Sequence, residues 1–102
     1  MPTHSPLTFR AATPEDVPAI TDLLNQLNRA EGNHTVMEVQ NTHAGLFGTN
    51  RPVNLRALLA IHEQKIVGAA LYYTGYDILT SVIGYHLGDL VVHESQDRKS
   101  VV

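Results

Sequence analysis

The sequence predicts an α+β domain in which two helices pack on a mainly antiparallel sheet of about four strands, in the order strand, helix, helix, strand, strand, strand. Three observations lead to this fold class. A helical repeat of apolar residues follows a short strand pattern, three β-rich segments come late in the chain, and only short links join those segments. Because short links favour antiparallel neighbours, the late strands are expected to share one sheet.

The first strand and the first helix are predicted at residues 6–12 and 13–30. The segment LTFRAA has the alternating, β-rich pattern of a short strand. Thr13 is a suitable N-cap, Pro14 fits the first helical position, and two acidic residues follow in the first turn. The apolar residues then recur at helical spacing, at Val17, Ile20, Leu23, Leu24 and Leu27. The pattern predicts an amphipathic helix that ends before Gly32.

A second, shorter helix is predicted at residues 35–47. Thr35 and Glu38 have the T-x-x-E spacing of a capping box, and Gly48 is placed to end the helix. The residues expected to face the core are Val36, Val39, His43 and either Leu46 or Phe47.

Three strands are predicted at residues 55–62, 65–74 and 85–94. The second of them, KIVGAALYYTG, is apolar on both faces, which is typical of a central strand. The segment YDILTSVIG between the last two is expected to be a loop with a short extended or irregular piece. With 102 residues, the chain is expected to form one domain over 1–102.

The overall composition limits the classes of partner. The net charge of −3 argues against nucleic acid or an anionic membrane as the main partner. The sequence has no cysteine, its opening segment MPTHSPLTFR has no apolar core of signal-peptide length, and no later apolar segment approaches membrane-spanning length. We therefore expect a soluble, cytoplasmic protein that binds neither nucleic acid nor a membrane.

The six histidines do not predict a metal site. No pair has the HxH or HxxxH spacing that places two imidazoles on one face, and no carboxylate completes a ligand set. His86 and His93 are seven residues apart on the last predicted strand, so they are expected on opposite faces. Four tyrosines cluster late in the chain, where packing and ligand contact are both open interpretations.

Asp89 is the most suggestive single residue, because it interrupts an apolar strand. Strand alternation predicts that it faces the same side as Leu87 and Val91. A carboxylate there must be hydrogen-bonded, paired or at a functional opening. Two interpretations remain, a structural hydrogen-bond anchor and a site residue, and the neighbouring Gly88 would let a ligand approach the backbone.

From Leu7 onward the chain resembles the first part of the GNAT family of N-acetyltransferases. The resemblance lies in four segments, TFRAATPEDVPAITDLLNQLNRAEG, LFGTNRP, KIVGAALYYTGYD and HLGDLVVHESQDRKS. Within the family the sequence is most similar to the diamine, spermidine and thialysine acetyltransferase-like group. The resemblance implies a partial GNAT fold, truncated at the loop that binds the pyrophosphate of acetyl-CoA.

The resemblance also implies which residues contact acetyl-CoA. In the family, the backbone of the fourth strand hydrogen-bonds the pantetheine arm, and this stretch corresponds to Leu90, Val91 and Val92. A loop of pattern (Q/R)-x-x-G-x-(G/A) then wraps the pyrophosphate, using the helix N-terminus as an anion site. The loop falls on DRKSVV, where Ser100 stands in place of the first glycine. Its candidate phosphate contacts are Arg98, Lys99 and Ser100.

For the amine substrate, the resemblance implies acidic contacts at Glu31 and Asp77. Glu31 comes at the end of the first helix, and Asp77 follows the tyrosines of the central strand. The carboxylate proposed in the family to help deprotonate the amine falls on Gly88, and the family match makes Asp89 more structural than catalytic. No catalytic residue is therefore assigned.

Two interpretations of the function follow. The first is an acetyl-CoA-dependent transfer of acetyl to a small, polyamine-like primary amine, with activity in question because half of the cofactor cleft is not encoded. The second is a non-catalytic half-domain or a truncated gene product. In that case we expect a homodimer, formed through the exposed last strand or through one face of the sheet.

Overall fold

The computed structural model describes residues 6–49 and 54–93. Its helices and strands follow the predicted order, and the α+β fold class is confirmed. The elements are β1 (Thr8–Ala11), a 3₁₀ turn (Pro14–Asp16), α1 (Val17–Ala30), α2 (Val39–Phe47), β2 (Leu55–His62), β3 (Lys65–Asp77) and β4 (Val82–Val92).

The four strands form one sheet in the spatial order β1-β2-β3-β4, and every neighbouring pair is antiparallel. The core lies between the sheet and the two helices. It joins side chains from α1 and α2 to alternate residues of the three long strands, namely Ile20, Leu23, Leu46, Ala57, Leu59, Ala69, Leu71 and Val91. We call this side of the sheet the helix face.

The other side, the open face, is not covered by any helix in the part of the chain that the structure describes. It presents large apolar side chains to solvent, at Phe9, Leu58, Ile83, Tyr85, Leu87, Leu90 and Val92.

The first helix begins as predicted at Thr13, but its first turn is a 3₁₀ turn. Asp16 accounts for this geometry, since its carboxylate accepts hydrogen bonds from the Thr13 backbone N–H at 2.7 Å and the Thr13 hydroxyl at 3.1 Å. The α-helix proper then runs over Val17–Ala30, and Glu31 is its C-cap. Its buried apolar positions include Val17, Ile20 and Leu23.

The second helix begins four residues later than predicted, at Val39, with Glu38 as its N-cap. The residues before it are held extended by α1, because Asn25 donates to the Met37 carbonyl (3.1 Å) and accepts from the Met37 N–H (2.7 Å). The predicted cap at Thr35 is therefore wrong. Of the residues expected to face the core, Leu46 is buried, whereas Val36, Val39 and His43 are exposed.

The last two strands form a longer hairpin than predicted, so the interpretation of YDILTSVIG as a loop is wrong for most of that segment. β3 continues to Asp77 and β4 begins at Val82, leaving only the turn at 78–81. Gly75 and Gly84 face each other in the ladder instead of interrupting it. β4 ends at Val92, and the predicted last strand residue, 94, lies outside the described residues.

A β-bulge at Gly88 changes the facing of side chains along β4. Leu71 pairs with Asp89, but the next residue, Tyr72, pairs with Leu87, so Gly88 is the extra residue. Asp89 therefore shares the helix face with Val91, whereas Leu87 lies on the open face. The prediction that Asp89 faces the same side as both neighbours is correct for Val91 and wrong for Leu87.

Candidate functional site

A cavity of ≈ 330 Å³ opens between the end of α1, the start of α2 and the helix face of the sheet. Its floor is apolar, with side chains from four elements at Leu24, Leu27, Leu46, Leu55 and Leu71. Its rim is polar. The position follows from the fold, because the loop after α1 leaves the sheet uncovered beside β3 and β4.

Two carboxylates, Glu31 and Asp89, line this cavity from different elements. Glu31 is placed by the C-terminal end of α1, and Asp89 is placed by the residue next to the bulge in β4. Both residues are exposed. None of the described residues that line the cavity is basic, so both carboxylates contribute an uncompensated negative potential there.

Asp89 does not act as a structural anchor in the described part of the chain. Its carboxylate accepts no hydrogen bond within residues 6–49 and 54–93, and it is open to solvent. A solvated carboxylate beside an apolar floor is free to bind a cation from outside. Of the two interpretations open from the sequence, the structure favours the site residue.

Two amide side chains complete the polar rim, at Asn28 and Asn41. Asn28 donates to the Thr35 carbonyl at 3.1 Å, and the Asn41 side-chain oxygen accepts from the Glu38 N–H at 3.3 Å. The first bond ties the loop between the helices to α1, and the second is part of the N-terminal cap of α2.

Asp77, the second predicted substrate contact, is the last residue of β3 and pairs with Val82. The structure describes its place in the strand but not its side chain. Whether Asp77 joins Glu31 at the amine site therefore stays a prediction.

The predicted cofactor stretch, Leu90 to Val92, forms the end of β4, which is an edge strand in the described sheet. The Val91 side chain is buried on the helix face, while Leu90 and Val92 lie on the open face. The His93 N–H donates to the Val67 carbonyl at 2.7 Å, that is, towards β3. Because amides alternate along an antiparallel strand, the N–H groups of Val92 and Leu90 point away from β3, towards the unpaired edge.

The remaining predicted cofactor contacts, Arg98, Lys99 and Ser100, lie outside the described residues.

A ring stack lies on the helix face further along the hairpin. The Tyr73 and His86 rings stack with centroids 5.3 Å apart and planes inclined by 21°. The imidazole occupies the space above Gly75, where an added Cβ would lie 2.3 Å from two of its ring atoms. The bulge is what brings His86 to the same face as Asp89.

Solved structures that superpose on this chain include several acetyltransferases. A ribosomal-protein-alanine N-acetyltransferase from Brucella melitensis biovar Abortus 2308 superposes with a TM-score of 0.73 at 16% identity, covering 94% of this chain and 63% of its own. The fold is a partial GNAT acetyltransferase fold. A possible acetyltransferase from Clostridium difficile 630 has a TM-score of 0.71 at 14% identity, covering 93% of this chain and 62% of its own.

A third structure with the GNAT fold is an aminoglycoside acetyltransferase from an uncultured soil metagenomic sample, in complex with sisomicin. Its TM-score is 0.65 at 18% identity, and the match covers 93% of this chain and 61% of that one. The chain thus spans somewhat less than two thirds of the length of these three proteins. No protein-family model and no curated protein matches the sequence.

Two features are absent from the described residues. No helix within 6–49 and 54–93 is long and apolar enough to cross a membrane. The same residues contain no group of three or more His, Asp or Glu side chains placed to hold a metal ion.

The sequence did not assign Asp89 to the site, although one feature of the sequence pointed to this residue. A lone carboxylate in an apolar strand marked the residue as unusual. What the sequence did not reveal was the bulge, which turns Asp89 towards the end of α1 while Leu87 turns away.

Proposed function

We propose that the chain forms part of a GNAT-type N-acetyltransferase that moves acetyl from acetyl-CoA to a small primary amine of the diamine or polyamine type. The observation that carries this proposal is the pair of carboxylates, Glu31 and Asp89, on one cavity with an apolar floor. The partial GNAT fold, found in solved acetyltransferases, supports the reaction class.

The cavity fits a cationic amine with an alkyl chain. Carboxylates attract and hydrogen-bond an ammonium group, and charge-assisted bonds of this kind are the stronger ones. The methylene groups would pack against the leucine floor and leave water. Because the two carboxylates come from different elements, each could bind one end of a diamine, and Asp77 remains a candidate third contact.

The reaction needs a neutral amine, a polarised thioester and a route for one proton. The amine nitrogen attacks the thioester carbonyl, a C–N bond forms, the C–S bond breaks, and the thiolate leaves and takes up a proton. In this proposal an outward N–H of β4, at Leu90 or Val92, would donate to the developing oxyanion. A base removes the amine proton, directly or through water, and none of the described residues is assigned to that step.

The direct test is acetyl transfer by the purified 102-residue protein. Thiol release from acetyl-CoA would be followed with spermidine and with a lysine analogue as acceptors. Turnover above the buffer rate supports the proposal. No turnover, together with no thermal shift on addition of CoA, contradicts it for this chain.

Amine binding is a separate test that needs no turnover. Spermidine titrated into the protein by calorimetry should bind about tenfold more weakly to Asp89→Asn and to Glu31→Gln, which corresponds to about 1.4 kcal/mol for each lost charge contact. Asp22→Asn is the matched control, because Asp22 is exposed on α1 and does not line the cavity. Equal affinities for all variants would exclude the cavity as the amine site.

A non-catalytic binding module is the second candidate. It is favoured by the edge of β4, which has no strand partner within residues 6–49 and 54–93, and by the apolar open face of the sheet. This candidate expects a stable association of chains without thiol release in the assay above. If the first candidate is correct, the protein releases thiol from acetyl-CoA in that assay, and substitution of the cavity carboxylates abolishes the turnover.

A further inference from the structure

The outer edge of β4 is the free edge of the sheet in the described part of the chain. Over Val82–Val92 it has no strand partner among the described residues, so its outward N–H and C=O groups are available to an extended polypeptide. We propose that this edge pairs with β4 of a second copy, antiparallel about a twofold axis, with His86 of each copy beside the partner's Asp89. This inference goes beyond the proposed acetyl transfer and does not depend on it.

The order of faces along β4 selects the register. On the helix face lie Gly84, His86, Asp89 and Val91, and on the open face lie Ile83, Tyr85, Leu87, Leu90 and Val92. Directly opposed residues of an antiparallel pair must point to the same side of the sheet. Two pairings about a dyad meet this condition, and the longer of them uses the strand from Ile83 to Val92. It places Ile83 opposite Val92, Tyr85 opposite Leu90, Gly84 opposite Val91, and His86 opposite Asp89, whereas the shorter pairs only residues 85–92.

The bulge makes this register self-complementary. Without the extra residue at Gly88, His86 and Asp89 would lie on opposite faces and could not meet across a dyad. A shift of two residues in one direction would place His86 opposite Leu87, which faces the other way, and a shift in the other direction would place it opposite Val91 and shorten the paired stretch. In the proposed register the dyad passes between Leu87 and Gly88, so one bulge faces the other.

Complementarity between an imidazole donor and a carboxylate acceptor points to a second copy as the occupant. Asp89 is the only charged residue of β4 and His86 its only imidazole. The register places each opposite the other across the dyad, twice by symmetry, and the imidazole reaches the partner's carboxylate by turning from its stack on Tyr73 towards the outer edge. An unrelated strand would have to reproduce both groups at the same spacing.

The apolar rows support the same arrangement. Tyr85 is 75% exposed and Leu90 65% exposed, and the register stacks them side by side on the open face. Ile83, 70% exposed, lies beside the partner's Val92 in the same way. Aromatic–aliphatic and aliphatic pairs of this kind are the units that stabilise antiparallel sheets.

The first test changes the two residues of the proposed contact, His86 and Asp89. Sedimentation equilibrium at micromolar concentrations should show a dimer of the wild type. His86→Asp and Asp89→His should each raise the dimer dissociation constant at least about tenfold, since each opposes like groups at both contacts. The double variant His86→Asp/Asp89→His should restore association. His43→Asp is the matched control, because His43 is exposed on α2, away from β4.

Circular dichroism of each variant separates loss of association from loss of fold. A wild type that sediments as a monomer overturns the proposal. A dimer whose dissociation constant is unchanged in both folded single variants also overturns it.

The second test uses the absence of cysteine from the sequence. Tyr85→Cys and Leu90→Cys are purified separately, mixed and oxidised. The register places these two positions opposite each other, within disulfide reach, whereas two copies of either one are several residues apart. A disulfide-linked dimer in the mixture, and not in either variant alone, supports the register. Efficient linking of Leu90→Cys to itself indicates packing of two open faces and overturns it.

Discussion

Arg10 and Asp16 form a two-point ion pair between β1 and the first turn of the helical segment. Nη1 of Arg10 donates to Oδ2 of Asp16 at 2.7 Å, and Nη2 donates to Oδ1 at 2.9 Å. The same carboxylate receives the N–H and hydroxyl of Thr13. The Asp16 side chain is only 9% exposed, although that of Arg10 is 48% exposed. One carboxylate therefore fixes the angle at which the chain leaves the sheet and enters α1.

Asp16→Asn should lower the free energy of unfolding by about 2 kcal/mol, since these contacts lower the pKa of the carboxyl from 3.8 to about 2 and each pKa unit corresponds to about 1.4 kcal/mol. The largest cause is the hydrogen bonding from Arg10, which the neutral amide weakens. Urea denaturation at neutral pH measures the change. Asp22→Asn, at an exposed site on α1 where the amide oxygen can still accept the hydrogen bond from Gln26, should change it by less than about 0.5 kcal/mol. Equal losses in the two variants would contradict the role of the ion pair.

The pH dependence of that difference follows from the same shift. Because the folded-state pKa of Asp16 is depressed, its stabilisation is complete above the unfolded value near 3.8 and is lost as the pH falls towards 2. The stability gap between wild type and Asp16→Asn should therefore be constant from neutral pH to about pH 5 and should close between about pH 4 and pH 2. Because the other carboxyl groups titrate in both proteins, their contribution cancels in the difference between the two free energies of unfolding. A difference in stability that grows as the pH falls would contradict a lowered pKa of Asp16 in the folded state.

The strand and helix order could be predicted from the sequence because it depends on local patterns. Apolar spacing in α1, the tight link between β2 and β3, and the apolar character of β3 are each visible within a few residues. The errors arise where a contact distant in sequence decides the outcome. The Asn25 side chain holds Met37 extended and moves the start of α2, and the pairing of Gly75 with Gly84 extends the hairpin.

The candidate site shows the same limit. Glu31 was assigned from family resemblance, and it does line the cavity. Asp89 was not assigned, because its orientation depends on which residue of β4 is left out of the ladder with β3. A bulge is set by the pairing of two strands, so its position is not encoded in either strand alone.

Gly75→Ala should disrupt the stack between Tyr73 and His86, since the new Cβ would lie 2.3 Å from the imidazole. We expect a loss of about 0.5–1.5 kcal/mol of stability and a changed ring-current shift of the His86 proton signals in NMR spectra. Gly84→Ala is the matched control, because Gly84 is directly opposite in the ladder and an added Cβ there has no neighbour within 4 Å. An unchanged His86 signal in Gly75→Ala would contradict the prediction.

Acetyl-CoA and the second copy should compete, because both proposals use the outward amides of Leu90 and Val92. In the dimer those amides pair with the partner strand, whereas in the acetyl-transfer proposal they face the pantetheine arm and the thioester. Saturating acetyl-CoA should therefore shift the sedimenting species from dimer towards monomer. ADP, which lacks the pantetheine arm, should leave the dimer intact. The protein could instead remain a dimer while a thermal shift demonstrates that acetyl-CoA is bound. That result would show that the ligand and the partner use different surfaces.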